Sequence, residues 1–189
     1  MLLDVAAARA LAHLQLAPLP DRWAHTRSAA ACAQEFADAV DPADRDLLVC
    51  AAWLHDVGYA PRLHRVGFHP LDGAWHLREL GWPERLAALV AHHSQARALA
   101  VVRGLDVLLA DFDCERGAVA DALTCADMTS GPDGSRLGLQ QRLDGIDARH
   151  RGESAAMQQA RAARRVPLTE AVRRTEQRLR CVRPDRLTA

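Results

Sequence analysis

The chain has 189 residues and a formal net charge of zero, and 49% of its residues are hydrophobic but only 4% are aromatic. This length fits one domain of ordinary size. Zero net charge gives no general argument for binding to nucleic acid or to an acidic membrane surface. Abundant alanine and the lack of alternating β-branched stretches predict an all-α protein. The sequence contains 24 arginines and no lysine, which excludes lysine Schiff-base chemistry.

Start and stop signals divide the chain into a series of helices. A first helix is predicted over 2–16 and a second over 21–40. A third begins at Asp41-Pro42, an N-cap followed by proline at the first helical position, and runs to about 56. After an irregular loop, further helices are predicted over 69–81, over 83–93, over a short segment ending at Gly104, and over 115–129.

The C-terminal part of the chain differs in charge from the rest. From residue 138 the pattern predicts two or three polar helices, broken near Pro167. Residues 149–189 contain 11 arginines and four acidic residues, so this segment has a net charge of +7 and residues 1–148 one of −7. We expect 1–148 to form the main helical domain with its N-terminal helix, and 149–189 to pack on it. The arginines are interpreted as a solvated, salt-bridged surface, with a surface for a partner subunit or an anionic ligand as the alternative.

The cysteines and the hydropathy of the sequence indicate in which cellular compartment the protein is expected. The five cysteines form no CxxC pair, which is typical of reduced packing residues in a cytoplasmic protein. The N-terminal segment predicts a helix, not a secretory signal. No apolar run reaches 18 residues, so no membrane partner is expected. The sequence leaves the oligomeric state open, with a homo-oligomer among the options.

Several titratable side chains fall on apolar helix faces. His25 begins an apolar stripe on the second helix, His55 ends one on the third, and Asp127 follows one near the end of the 115–129 helix. His69 occupies a helix start. His92 and His93 occupy a helix end, where the apolar phase favours His93 as the inward residue. A single inward histidine is usually an ordinary core residue, but this number of histidines together with two aspartates needs another explanation.

A metal centre explains the set, because burying unpaired carboxylates and imidazoles is costly without a cation. Mixed nitrogen and oxygen donors suit divalent transition metals, with Fe or Mn expected first and Co, Ni or Zn as alternatives. The donors are too many for one tetrahedral ion, so we expect two ions with Asp56 between them. The candidate ligands are His25, His55, Asp56, His69, His92, His93 and Asp127.

The order of these residues resembles the HD superfamily of metal-dependent phosphohydrolases. Its pattern H…HD…H…H…D reads here as "WAHTRSA", "WLHDVGY", "FHPLDGA", "VAHHSQA" and "CADMTSGPDG" over about residues 20–145. The resemblance implies an HD-type helical bundle. It also implies that His25, His55, Asp56 and Asp127 hold one metal and that His69 and the His92-His93 pair extend the site to two. The layout is similar to that of bacterial symmetrical dinucleoside tetraphosphate hydrolases, which usually have one histidine at the fourth segment.

The expected activity is hydrolysis of a phosphoester or phosphoanhydride, most simply of a nucleotide, by a metal-activated hydroxide. Asp56 and Asp127 are the candidate catalytic residues, and the sequence leaves open which group relays the proton. Arg62, His64 and Arg65, in the loop between two ligand segments, are the candidate substrate-binding residues. Two alternatives remain: an HD-fold mixed-valent di-iron oxygenase acting on a small substrate such as a phosphonate, and a non-catalytic nucleotide-binding module.

Overall fold

The protein is all-α in its computed structural model, which describes residues 3–182. Within this range, the only extended pairing is an isolated bridge between Ser130 and Arg136. No helix in the same range is both long and apolar enough to cross a membrane. The α-helices are α1 (Val5–Leu16), α2 (Pro20–Glu35), α3 (Arg45–Leu54), α4 (His69–Glu79), α5 (Glu84–His92), α6 (Ala96–Val102), α7 (Asp106–Leu109), α8 (Ala118–Met128), α9 (Leu139–Arg149) and α10 (Ala155–Val182).

Helix α3 forms the centre of the fold. Every residue from Leu47 to Leu54 is buried, as expected for a helix that is apolar all round. Helices α1, α2, α5 and α8 pack around it. Because α3 ends at Leu54, the polar residues that follow it, His55 and Asp56, enter the middle of the molecule.

The helix boundaries follow local capping chemistry. Asp4 caps α1 by accepting hydrogen bonds from the backbone N–H groups of Ala6 and Ala7. Asp41 caps a short 3₁₀ turn, Pro42–Asp44, which leads into α3. The predicted second helix is shorter than expected, since α2 ends at Glu35 and the chain continues as a 3₁₀ turn, Ala37–Ala39.

The C-terminal helices pack on α8 through a second apolar cluster, formed by Cys125, Met128, Leu143, Leu168 and Val172. Charged groups support the same contact. Asp121 of α8 is buried and accepts hydrogen bonds from Arg174, at 2.9 and 2.6 Å, and from Arg178, at 2.8 Å. The predicted boundary between the main helical domain and the C-terminal segment, at residue 148, falls in the last turn of α9. This division of the chain stays a prediction.

The expected helix break at Pro167 is wrong. Helix α10 continues through Pro167 from Ala155 to Val182. Proline inside a helix removes one hydrogen bond and costs about 3 kcal/mol. Apolar residues on both sides of it, Ala160 and Leu168, are buried. Tertiary packing therefore offsets the cost of the missing backbone hydrogen bond, which the sequence-based prediction took to end the helix.

Candidate metal centre

Three helices bring one group of ligands together. Histidine 25 comes from the middle of α2, His55 and Asp56 follow α3, and Asp127 comes from the last turn of α8. His25 is 1% exposed, His55 is fully buried and Asp56 is 3% exposed. The His25 Nε2 atom lies 3.2 Å from His55 Nε2 and 3.1 Å from Asp127 Oδ1. Asp56 Oδ2 lies 3.8 Å from the same His25 nitrogen.

A second group shares Asp56 with the first. His69 is the first residue of α4, and His93 follows the end of α5. Their Nε2 atoms lie 3.2 Å apart. Asp56 Oδ1 lies 3.5 Å from His69 Nε2 and 3.9 Å from His93 Nε2. Two sets of possible metal ligands therefore meet at one carboxylate: His25, His55 and Asp56, and Asp56, His69 and His93.

The hydrogen bonds of the histidine rings favour a cation between them. His25 Nδ1 contacts the carbonyl oxygen of Gly131 at 3.2 Å, and His55 Nδ1 contacts that of Ala52 at 2.8 Å. A carbonyl oxygen only accepts, so each Nδ1 carries a proton, and the tautomer that this requires presents a lone pair on Nε2. Neither ring can then donate to the other across the 3.2 Å that separates their Nε2 atoms. A metal ion accepting both lone pairs fits this arrangement.

The spacing of the donors also fits a metal ion. Two donors that each lie about 2.1 Å from one ion, at about 100° to each other, are about 3.2 Å apart. Both histidine pairs have this Nε2 separation of 3.2 Å. Because imidazole and carboxylate donors are mixed, the set suits Mn, Fe, Co, Ni or Zn better than Ca or Mg.

The two carboxylates are held in the ionised form. Burial raises the pKa of Asp56, but the neighbouring His55, His69, His25 and Arg22 outweigh burial and hold it well below its ordinary value. The pKa of Asp127 is likewise lowered against the effect of burial, chiefly by its contact with His25. Burial lowers the pKa values of His69 and His93, which keeps these rings neutral and able to bind a metal.

A close backbone contact places His69 beside Asp56. Gly58, in the 3₁₀ turn Val57–Tyr59, packs directly against the first turn of α4. A Cβ atom at Gly58 would lie 2.0 Å from the carbonyl oxygen of His69 and 2.6 Å from the backbone nitrogen of Gly73. Only glycine permits this approach. Tyr59 then stacks on the His69 ring, with the ring centroids 3.9 Å apart.

A strained turn places His93 and supports Asp127. Ser94 and Gln95 both have positive φ angles, 47° and 61°, although neither is glycine. Such conformations persist where surrounding contacts hold them. The Ser94 hydroxyl donates to Asp127 Oδ2. The Ser94 carbonyl accepts from Arg164 of α10, at 3.0 Å from Nε and 2.6 Å from an η nitrogen.

The adjacent histidines point in different directions. His92 Nε2 lies 2.8 Å from the carbonyl oxygen of Phe112. Its ring lines a separate cavity that also contains Arg97 and Pro167. The structure therefore brings together six of the seven candidate ligands, and separates His92 from them. We call these six the ligand cluster: His25, His55, Asp56, His69, His93 and Asp127.

The predicted substrate-binding residues lie apart from the cluster. Arg62 donates to the Gln15 side chain at 2.8 Å and to the Leu14 carbonyl. Arg65 forms an ion pair with Glu79 on the surface, and His64 is exposed. None of Arg62, His64 and Arg65 lines the cavity that opens onto the ligand cluster. Arg103 does line that cavity, and donates to the carbonyl oxygens of Gly67 and Val66.

A cavity of about 420 Å³ opens onto the ligand cluster, and we call it the cluster cavity. Sequence reasoning missed most of the cations that line it. Arg22 lies one helical turn before His25, a spacing that places both on one face of α2. Arg103 follows α6, and the other four belong to α9 and α10, where the excess of arginine in the sequence was the available signal. The lining arginines are Arg22, Arg103, Arg142, Arg149, Arg161 and Arg164.

Comparison with known families agrees with this geometry. The family model described as the HD domain matches residues 22–126, more than half of the chain. The matched range contains His25, His55, Asp56, His69 and His93 and ends one residue before Asp127. Comparison with curated proteins and with solved structures returned no significant match.

Proposed function

Because the chain belongs to the HD-domain family, we propose that it is a metal-dependent phosphohydrolase that cleaves a phosphoester or phosphoanhydride of a small molecule such as a nucleotide. Two divalent transition-metal ions, when bound, supply Lewis-acid polarisation of the phosphoryl group and a water of lowered pKa. The first ion would be held by His25, His55, Asp56 and Asp127. The second would be held by Asp56, His69 and His93.

One observation carries the proposal: Asp56 is shared by two groups of histidines. Its Oδ2 faces His25, whereas its Oδ1 faces His55, His69 and His93 at 3.6, 3.5 and 3.9 Å. A carboxylate with imidazole nitrogens around both oxygens is suited to bridging two cations. Pairs of metal ions about 3.5–4 Å apart are used to stabilise both the attacking and the leaving oxygen in displacement at phosphorus.

The protein's own residues would orient the reacting groups. Asp127 lines the cluster cavity, and we assign its carboxylate the role of orienting the attacking water by accepting a hydrogen bond from it. Arg22 donates to Asp56 Oδ2 at 3.3 Å, and its guanidinium lies 4.0 Å from the Tyr59 ring centre. Burial and the nearby Asp56 raise the pKa of Tyr59 to about 12, so its hydroxyl stays neutral. Arg22 and Tyr59 would therefore support Asp56 and His69 without taking part in proton transfer.

An anaerobic assay tests the proposal against oxygenase chemistry. Protein loaded with Mn²⁺ is incubated without oxygen with nucleotide monoesters, nucleoside polyphosphates and dinucleoside polyphosphates, and both released phosphate and nucleotide products are measured. We expect turnover by the wild type and by the matched control Asp106→Asn, which changes an exposed aspartate. We expect Asp56→Asn to lose both metal and turnover. Absence of hydrolysis with every phosphate compound, together with oxygen consumption by the iron-loaded protein, would show an oxygenase instead.

A further inference from the structure

The charge of the cluster cavity is unbalanced. Six arginines line it, against three carboxylates, those of Asp56, Asp127 and Glu153. Two of the three carboxylates belong to the ligand cluster, and two divalent ions would more than neutralise them. The remaining lining is therefore strongly cationic. Four of the six arginines come from α9 and α10, beyond the range 22–126 that the HD-domain family model matches. They are Arg142, Arg149, Arg161 and Arg164.

Three of the cavity arginines already have structural partners. Arg161 forms two hydrogen bonds to Glu153, at 2.6 and 2.8 Å. Arg22 is paired with Asp56. Arg103 holds the loop before α4 through two backbone carbonyls, and its guanidinium lies 5.2 Å from the Phe68 ring centre. These contacts account for the positions of the three side chains without an additional anion.

Arg142 lacks such an account. It is 6% exposed, yet its only side-chain hydrogen bond to the described residues is a long one, 3.4 Å to Asp127 Oδ1. Its Nε atom is buried and has no hydrogen-bond partner within residues 3–182. Burying a guanidinium with its donors unsatisfied is costly. A bound anion would supply the missing acceptors.

Arg149 and Arg164 extend this cationic surface. Arg149 is exposed and has no hydrogen bond or ion pair to any residue that the structure describes. Within residues 3–182, Arg164 donates only to the Ser94 carbonyl, and burial lowers its pKa to about 10. Burial and the neighbouring Arg142 and Arg22 lower the pKa of Arg149 as well. Among the described residues, the contact of Arg142 with Asp127 is the one carboxylate contact that these three arginines make, so they leave a positive potential in the cavity.

Another part of the lining is apolar. Phe68, Leu99, Met128, Ile146 and Met157 face the same cavity. A ligand with one highly charged group and one small organic group would match both surfaces. The cavity volume of about 420 Å³ lies near the lower end of the range of small-molecule sites, about 300–1,000 Å³.

We propose that Arg142, Arg149 and Arg164 bind the oxygens of a dianionic phosphate, and that the substrate is consequently a small organic phosphomonoester or a compound with a terminal phosphate. This subsite lies in the cavity that opens onto the ligand cluster, so its ligand would be the substrate of the hydrolase. The assignment of a substrate class therefore rests on the proposed function. An internal phosphodiester carries one negative charge per phosphate, so it satisfies three arginines less well. Arginine suits this role because its planar guanidinium binds two phosphate oxygens at once.

Binding of inorganic phosphate to Mn²⁺-loaded protein, measured by calorimetry, tests the subsite. We expect the wild type to bind phosphate more tightly than dimethyl phosphate, a monoanion. Arg149→Ala should weaken phosphate binding about tenfold, as for loss of one charge-assisted hydrogen bond, with Arg149→Lys recovering part of the loss. Arg151→Ala is the matched control, since Arg151 is exposed, two residues away and outside the cluster cavity.

The outcomes separate this inference from the proposed function. If phosphate binding depends on Arg149 but the protein hydrolyses no phosphate compound, the result supports the subsite and contradicts the proposed hydrolase activity. If the protein hydrolyses a phosphate compound and Arg149→Ala and Arg142→Gln leave KM and phosphate affinity unchanged, the result contradicts the subsite and supports the hydrolase activity. Metal content is measured for every variant. Arg149 is exposed, so its variants keep the test valid if Arg142→Gln fails to fold.

Discussion

The two oxygens of Asp56 have different surroundings, and this difference organises the whole centre. Oδ2 contacts His25 and Arg22, at 3.8 and 3.3 Å. Oδ1 contacts His69 and His93 from the other side. The histidine rings are also oriented by contacts other than Asp56. His25 and His93 each contact a backbone carbonyl oxygen, and His69 stacks on Tyr59. Such outer contacts fix the ring that presents its nitrogen to a metal.

The neighbouring His92 and His93 provide a matched pair of variants at the residue scale. His93→Ala removes a donor that lies 3.2 Å from His69 Nε2, so we expect the metal content to fall by one ion per chain. His92→Ala removes a hydrogen bond to the Phe112 carbonyl, which should lower the free energy of unfolding by about 1 kcal/mol and leave the metal content unchanged. Elemental analysis and denaturant unfolding measure both effects. Loss of metal in His92→Ala alone would contradict this assignment.

At the scale of the elements, the contact between the turn Val57–Tyr59 and α4 decides whether a second group of ligands exists. The backbone of Gly58 touches that of His69 and Gly73 because neither glycine has a side chain. This contact puts His69 beside the carboxylate that ends the preceding helix. Close backbone packing thus helps to bring together two ligands that are 13 positions apart in sequence.

Substituting Gly58 tests this contact. In Gly58→Ala the added methyl group would overlap the His69 carbonyl, with a separation of 2.0 Å, so α4 must shift. We expect the free energy of unfolding to fall by about 1–3 kcal/mol, as for overpacking, and the metal bound through His69 to be lost. Gly152→Ala is the control, because no atom lies within 4 Å of a Cβ there. Unchanged stability and metal content in Gly58→Ala would show that α4 is positioned by other contacts.

At the scale of the whole molecule, the C-terminal helices complete a site that begins in the HD-domain match. Helix α10 reaches the ligand cluster through Arg164, which holds the Ser94 carbonyl, while the Ser94 hydroxyl holds Asp127. Arg174 and Arg178 attach the same helix to the buried Asp121 of α8. Metal ligands, cavity and C-terminal helices are therefore parts of one packed unit.

Removal of metal should consequently destabilise the entire fold. Without cations, two ionised carboxylates and four histidine rings converge in the core, where burying unpaired polar groups is costly. A ligand that binds only the folded state adds about 2.7 kcal/mol of stability at 100 times its Kd. For a chain of this size, that energy corresponds to a fall in Tm of about 5–10 °C on chelation. Thermal unfolding with and without chelator measures the change, and added Mn²⁺ should restore the original Tm. A Tm that chelation leaves unchanged would contradict a shared, buried metal centre.

The sequence alone determined the helical class, the family resemblance and the inward residues of the ligand cluster. These features are local or periodic: His25, His55 and Asp127 lie in phase with apolar stripes, and the family match confirms the resemblance. The preference for His93 over His92 followed from the same phase. Helix starts at Pro42 and His69 were likewise signalled by proline and its neighbours.

Only the tertiary structure decided which cations face the cavity and how the C-terminal segment is built. The side chains of Arg62 and Arg65 turn toward Gln15 and Glu79, because partners distant in sequence determine the direction of a loop side chain. Arg142 and Arg149 belong to a mostly polar helix, and which of its arginines face the cavity depends on its contacts with α8 and α10. Helix α10 passes through Pro167 for a related reason: packing along the whole helix outweighs one lost backbone hydrogen bond.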